Sequence, residues 1–352
     1  MRFAVKASLG VGEGARNARN LKGMPHTFRT TRLAPANPET IGAAAACLRA
    51  GGLVAIPTET VYGLAADATS EEAVAAVFAA KDRPTFNPLI AHLSNAEAAR
   101  REAQFIPEAE RLAEMFWPGP LTLVLPAAPA CRVSLLARAG LDTVALRVPA
   151  HPVARALIEA ARTPLAAPSA NRSGRVSPTT AAHVLADLDR RIDWIIDAGP
   201  AEVGIESTIV SCLERGVSLL RPGAVPREAI ERALGAPLAA AAHGSGQPSA
   251  PGQLESHYAP RAELRLRATH VGADEAALDF GGALAGPPTK AYLDLSPSGD
   301  LIEAAANFFA YLRVLDSSGA GRIAVAPVPG HGLGAAINDR LMRAAAPRSS
   351  PG

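Results

Sequence analysis

The fold class predicted by the sequence is α/β, in two domains. Short apolar runs of strand length alternate with helical stretches, a segment without periodicity interrupts them near residue 240, and a similar alternation resumes beyond it. The 352 residues, nearly half of them apolar, are ample for two cores.

Residues 1–32 carry Arg2, Lys6, Arg16, Arg19, Lys22, Arg29 and Arg32 against Glu13 alone, without apolar periodicity, so a disordered basic extension is expected there. A transit peptide has a similar basic look but a clearer amphipathic pattern, and a start at Met24 would explain the segment equally well. From Glu39 to Ala50 the alanine-rich run with Ile41 and Leu48 predicts a helix that Gly51 and Gly52 end. Leu53–Pro57 then reads as a buried strand, with Thr58, Glu59 and Thr60 at its end, facing a cleft. Ser70 as N-cap, Glu71 and Glu72 in the first turn, and Val74, Val77 and Phe78 at helical spacing predict a helix ending near Lys81.

Further strands are expected over Leu89–His92, Leu121–Leu125, Val144–Val148, Trp194–Asp197, Ser207–Cys212 and Val217–Leu220, giving one domain over residues 33–234. The Gly, Ser and Pro content between Gly235 and Pro251 marks a linker, set at 235–260. Strands at Ala262–Arg267, Ala291–Leu295 and Arg322–Ala326 with a helix over Leu301–Leu315 predict a smaller βαβ-type domain over 261–346.

A formal net charge of +2 argues against a nucleic-acid coat or a polybasic membrane binder, so any anion site must be local. Cys47, Cys131 and Cys212 lie roughly 80 residues apart, without zinc-ligand spacing, and are expected to be reduced, mostly buried thiols. No run reaches the length of a spanning helix, so a soluble protein without membrane contact is expected.

The chemistry-bearing residues begin at Pro57-Thr58-Glu59-Thr60-Val61-Tyr62-Gly63-Leu64, followed by Lys81-Asp82-Arg83-Pro84 and Asn87-Pro88-Leu89-Ile90-Ala91-His92. Taken alone they allow two readings: hydroxyls, cations, an amide and a histidine at the mouth of an α/β cleft, or turn-forming threonines beside a solvated helix end. His92 by itself reads as a satisfied core histidine, and Ser177-Pro178-Thr179-Thr180 as a helix start.

The string resembles the opening signature of the YrdC-like threonylcarbamoyl-AMP synthase family. The likeness continues through Trp117-Pro118-Gly119-Pro120-Leu121-Thr122, Thr143–Pro149, Ala167–Asn171, Gly204–Val210 and Leu220–Gly223. His257-Tyr258-Ala259-Pro260 and Gly332–Arg340 resemble the linker and last segment of the family's long, Sua5 form. The resemblance implies a YrdC-like domain with a mixed twisted sheet and central cleft, plus a Rossmann-like Sua5 domain. It also implies a cytoplasmic nucleotidyltransferase that makes threonylcarbamoyl-AMP and diphosphate from L-threonine, bicarbonate or CO2, and ATP with Mg2+, for modification of adenosine at tRNA position 37.

Carried over by position, the resemblance assigns Thr60, His92, Arg147, Ser169 and Ser207 to L-threonine. It assigns Arg83, Asn87, Thr143, Asn171, Thr179, Arg221 and Tyr258 to ATP, with Lys81, Arg83 and Arg147 as the catalytic cations and no protein ligand to a metal. Arg147 is expected to grip the amino-acid carboxylate through two parallel hydrogen bonds, and Tyr258 to act from a lid. Glu255 stands where the family tends to have a basic residue. Gly330–Gly334 lacks phosphate-loop spacing and reads as a turn before a helix, and Arg340 as an interdomain or surface contact.

Two other functions compete. YrdC-like domains have a concave basic surface suited to double-stranded RNA, which the near-neutral charge argues against. The related carbamoyltransferase of hydrogenase maturation carries zinc-finger cysteines, which this chain lacks. A separate tRNA threonylcarbamoyltransferase would receive the product.

Overall fold

The computed structural model describes residues 29–213, 216–239, 250–251, 257–286, 289 and 291–347. The larger unit runs β1 (Arg32–Pro35), α1 (Pro38–Arg49), β2 (Val54–Ile56), β3 (Gly63–Asp67), α2 (Glu71–Lys81), β4 (Ile90–His92), α3 (Ala96–Glu102), α4 (Pro107–Phe116), β5 (Leu121–Pro126) and β6 (Thr143–Arg147). It continues through α5 (Pro152–Ala161), β7 (Leu165–Ala166), α6 (Ala181–Leu188), β8 (Trp194–Asp197), β9 (Thr208–Leu213), β10 (Gly216–Arg221) and α7 (Arg227–Leu234). The smaller unit holds β11 (Glu263–Arg265), β12 (Ala276–Asp279), β13 (Tyr292–Asp294), α8 (Leu301–Ser317), β14 (Arg322–Val325) and α9 (Leu333–Ala345).

Local chemistry explains where the helices start. Asn37 accepts the Thr40 N–H at 2.8 Å with Pro38 opening α1, and Ser70 accepts the Ala73 N–H at 3.1 Å ahead of two glutamates in α2. In the Ser177–Thr180 segment the capping hydroxyl is that of Thr180, which accepts the His183 N–H at 3.2 Å.

The ten-stranded sheet has the order β1-β8-β2-β3-β7-β4-β6-β5-β9-β10 and mixes parallel with antiparallel pairs. Its inner strands are buried on both faces. In β2, Val54 and Ile56 join Leu48 of α1 and Leu157 of α5, while Ala55 points the other way, toward Val74 and Val77 of α2. The smaller sheet is parallel throughout, in the order β11-β14-β12-β13, with Phe308 and Phe309 of α8 and Ile337 of α9 in its core.

One apolar cluster crosses between the two units. Val61, Val176 and Ile205 of the larger unit pack with Tyr258 and Phe309. The backbones approach closely at Gly204, with φ at +71°, where a Cβ would lie 2.4 Å from the Ala305 carbonyl oxygen and so could not be accommodated.

Three expectations change. Residues 29–32 are not part of a disordered extension. The Arg29 N–H donates to the Arg190 carbonyl at 3.0 Å, and β1 pairs in parallel with β8, an edge too short and too proline-rich to read as a strand; residues 1–28 lie outside the described residues. Strands β3 and β12 were not expected, because Gly63-Leu64-Ala65-Ala66-Asp67 and Ala276-Ala277-Leu278-Asp279 are poor in β-branched residues. Of the three free cysteines only Cys212 is buried, with Cys47 and Cys131 half-buried. Among the described residues no helix is long and apolar enough to cross a membrane.

Candidate active site

The sheet's middle places the first cluster. β4 and β6 run in parallel with His92 opposite Arg147, so both side chains leave the same face at strand ends. The turn after β2 folds over them because the Thr58 hydroxyl donates to the Val61 carbonyl at 2.6 Å and lies 2.8 Å from the Thr60 hydroxyl. Arg147 then donates to the Thr60 hydroxyl at 3.0 Å, the Gly119 carbonyl at 3.2 Å and the Glu59 carboxylate at 2.6 Å.

The Arg147–Glu59 pair is sealed, with side chains 5% and 7% exposed. Burial pushes the Glu59 carboxyl up, but the charge and hydrogen bond of Arg147, helped by backbone N–H groups, hold it below the usual carboxylate range. The guanidinium expected to grip a substrate carboxylate through two hydrogen bonds is thus partly engaged within the fold. Three of the five N–H groups are already committed, and one on each terminal nitrogen remains.

A second cluster comes from β9, β10 and the loop before β9. The Arg221 guanidinium donates to the Ser207 carbonyl at 2.8 Å and to its hydroxyl at 3.1 Å, and the Thr122 hydroxyl lies 2.8 Å from that hydroxyl. Gly223 permits this turn, since a Cβ there would sit 2.5 Å from the Glu206 carbonyl. Arg83 donates to the Pro88 carbonyl at 3.1 Å, and burial lowers it to about 10.

Together these residues line a narrow cleft with a cavity of about 50 Å³. Its wall contains Thr60, Arg83, His92, Arg147, Ser169, Ser207, Arg221 and Tyr258 from the sequence-derived set, with Glu206, Pro251 and His257 in addition. Tyr258 is buried with φ at +63°, so the described end of the linker lies over the cleft. The rest of the linker, including Glu255, is outside the described residues.

Five residues of the set stand back from the wall. Lys81 is buried behind it, its ammonium on the Ser169 and Asn171 carbonyls, and burial followed by the charge of Arg83 drives its pKa well down. Asn87 and Asn171 are buried, each with an unpaired side-chain oxygen. Thr143 opens β6, about 13 Å along the strand from Arg147. The β4–β6 register, continued two residues back, sets it beside Pro88, at the Arg83 end. Thr179 faces His183 at 3.3 Å.

Sequence reasoning missed Glu59 and Glu206, although both stand inside motifs it singled out. Their signal was an acid directly beside hydroxyl residues, Thr58 and Thr60 for Glu59 and Ser207 for Glu206. It also left Arg340 undecided. In the fold Arg340 is fully buried, donates to Glu206 at 3.0 Å, and lies 5.2 Å from the Tyr258 ring centroid.

Burial, with the charge of Arg147, lowers the His92 pKa from 6.5 to about 3; burial and four nearby cations take His257 well below its ordinary value. Both are neutral when folded, so their contribution is complete above about pH 6.5 and is lost as the pH falls toward the folded values. Each can add a slope of at most about 1.4 kcal/mol per pH unit. Urea unfolding at pH 5.5 is expected to give about 2 kcal/mol less stability than at pH 7.5, and His92→Asn to lessen the fall. Equal stability at the two pH values would contradict this assignment.

Comparison with known proteins bears on this geometry. A family model described as "Telomere recombination" matches residues 46–223, and one described as "Threonylcarbamoyl-AMP synthase, C-terminal domain" matches residues 225–346. The threonylcarbamoyl-AMP synthase of Pyrococcus abyssi is 42% identical over 316 residues, covering 86% of this chain and 92% of that protein. That of Bacillus subtilis is 41% identical over 332 residues, covering 89% and 94%. The crystal structure of the P. abyssi protein, Sua5, complexed with L-threonine superposes with a TM-score of 0.81 at 38% identity, covering 91% of this chain and 98% of that one. With both parts of the chain matched and the cleft built from the shared motifs, this chain belongs to the threonylcarbamoyl-AMP synthase family in its two-domain Sua5 form.

Proposed function

We propose that this cleft makes threonylcarbamoyl-AMP from L-threonine, CO2 or bicarbonate, and ATP. The observation that carries the reading is the convergence of three buried arginines, Arg83, Arg147 and Arg221, on one closed wall with the hydroxyls of Thr60, Ser169 and Ser207. In the reaction the threonine amine attacks CO2, loses a proton and becomes a carbamate. A carbamate oxygen then attacks the α-phosphorus of ATP, the bond to the bridging oxygen breaks, and pyrophosphate leaves.

Both reactants are anions, and two unit charges about 4 Å apart repel by roughly 4 kcal/mol at an effective dielectric near 20. The arginines offset this by fixed charge, so rate comes from positioning and neutralisation. The two free N–H groups of Arg147 meet the threonine carboxylate beside the Thr60 hydroxyl, and Arg83 and Arg221 take the phosphates.

Mg2+ would accompany ATP and would supply neutralisation of its phosphate charge. Among the described residues no three potential ligands gather, and Glu59 and Glu206 already serve Arg147 and Arg340. Product passes to a tRNA threonylcarbamoyltransferase in the cytoplasm, a compartment that suits three free thiols and an ATP-dependent enzyme. Weak double-stranded RNA binding is a secondary reading, supported by the family likeness alone.

The test is pyrophosphate release from Mg·ATP by the purified chain. Release is expected to require both L-threonine and bicarbonate. Release independent of threonine would refute the synthase and favour the RNA-binding reading.

A further inference from the structure

Two arginines of the smaller unit are committed to the larger unit, Arg340 to the cleft wall at Glu206 and Arg313 to the segment behind it. Arg340 of α9 is fully buried; it donates to Glu206 at 3.0 Å and to the Pro222 carbonyl at 2.8 Å. The other carboxylate oxygen of Glu206 accepts the Ser177 hydroxyl at 2.6 Å. Arg313 of α8 donates to the Val176 carbonyl, to the Ser177 carbonyl at 3.4 Å and to Asp187 at 2.7 Å. The Ala259 N–H, just past the lid, donates to the Gly174 carbonyl at 2.8 Å.

These bonds share a target. The segment Gly174–Thr179 carries three backbone carbonyls and the Ser177 hydroxyl held from the lid or the smaller unit, directly or through Glu206. Adhesion alone does not call for them, because Val61, Val176 and Ile205 already join Tyr258 and Phe309 in an apolar cluster. A buried ion pair can often be replaced by packed apolar side chains without loss of stability. What a guanidinium adds is direction: its N–H groups fix Glu206 and the Pro222 carbonyl together while its face covers the Tyr258 ring.

We propose that Arg340, seconded by Arg313, is a positioning residue for the ATP side of the cleft, through which docking of the smaller unit sets Gly174–Thr179, Glu206 and Tyr258 in place. The inference rests on the proposed function and on the family resemblance that assigns Thr179 and Tyr258 to ATP. The threonine side is held mainly by Glu59 and Thr60 on Arg147, while Ser207, also assigned to L-threonine, adjoins the clamp at Glu206. Loss of the clamp therefore acts more strongly on ATP than on L-threonine.

The experiment uses the full chain with Arg340→Lys, which keeps the charge and loses the fork, and with the pair Arg340→Met and Glu206→Gln, which leaves no unpaired buried charge. Amide hydrogen exchange of the peptide spanning 174–179 is measured without ligand, and KM for ATP and for L-threonine by pyrophosphate release. Faster exchange in that peptide with an ATP KM raised about tenfold and a threonine KM within about twofold is the expected result. Folded variants with unchanged exchange, or with an unchanged ATP KM, would overturn the role and leave Arg340 as a joint between the units. Equal rises in both KM values would overturn it too. If the wild-type chain shows no threonine-dependent release, the proposed function fails instead, and the exchange comparison still decides whether the clamp exists.

Discussion

Arg147→Ala is expected to reduce L-threonine-dependent pyrophosphate release by about a thousandfold and to lower the unfolding free energy by about 3–5 kcal/mol. The two losses have different origins. Activity falls because the N–H groups proposed for the threonine carboxylate disappear, and the Thr60 hydroxyl loses its 3.0 Å donor. Stability falls because Glu59, 7% exposed, would remain as a buried carboxylate without its 2.6 Å partner. Adding Glu59→Gln removes that charge, so the double variant is expected to regain most of the stability and none of the activity. Urea unfolding beside the release assay separates the effects. A double variant that recovers activity would show that Arg147 only holds the fold, and would move threonine recognition to Ser207 and His92.

Much of this site was legible in the sequence, and what was not has identifiable physical causes. The polar residues at the ends of β2 and β4, and the arginines at the ends of β6 and β10, stand where short apolar runs stop, so periodicity located them. Pairing is long-range, and periodicity does not report it. Arg147 was legible as a cation, but its pairing with Glu59, 88 residues away, depends on the turn after β2 folding back over β6. Lys81 illustrates the same limit. A lysine at the end of a helix reads as solvated, yet the chain at Ser169–Asn171 crosses above it and takes its ammonium through backbone carbonyls that no side-chain pattern announces. Strands rich in alanine, β3 and β12, were hidden because burial rather than β-propensity makes them strands.

Tyr258 is where lid, clamp and core meet, and two substitutions there are expected to part company. The ring packs against Phe309 at 5.7 Å between centroids, against His257 at 4.0 Å, and under the Arg340 guanidinium. Tyr258→Phe keeps the ring, so stability is expected to stay within about 1 kcal/mol of wild type. Tyr258→Ala empties a buried aromatic site and is expected to cost about 3–5 kcal/mol. It also opens the cleft to water where the linker forms part of the wall. The acyl phosphate made there is an activated anhydride, so a breached lid lets hydrolysis compete with release of intact product. The measurement is pyrophosphate formed per threonylcarbamoyl-AMP recovered, with a ratio near one expected for wild type and for Tyr258→Phe, and well above one for Tyr258→Ala. Equal ratios in all three proteins would mean that Tyr258 serves the hydrophobic core shared by the two units and does not guard the adenylate.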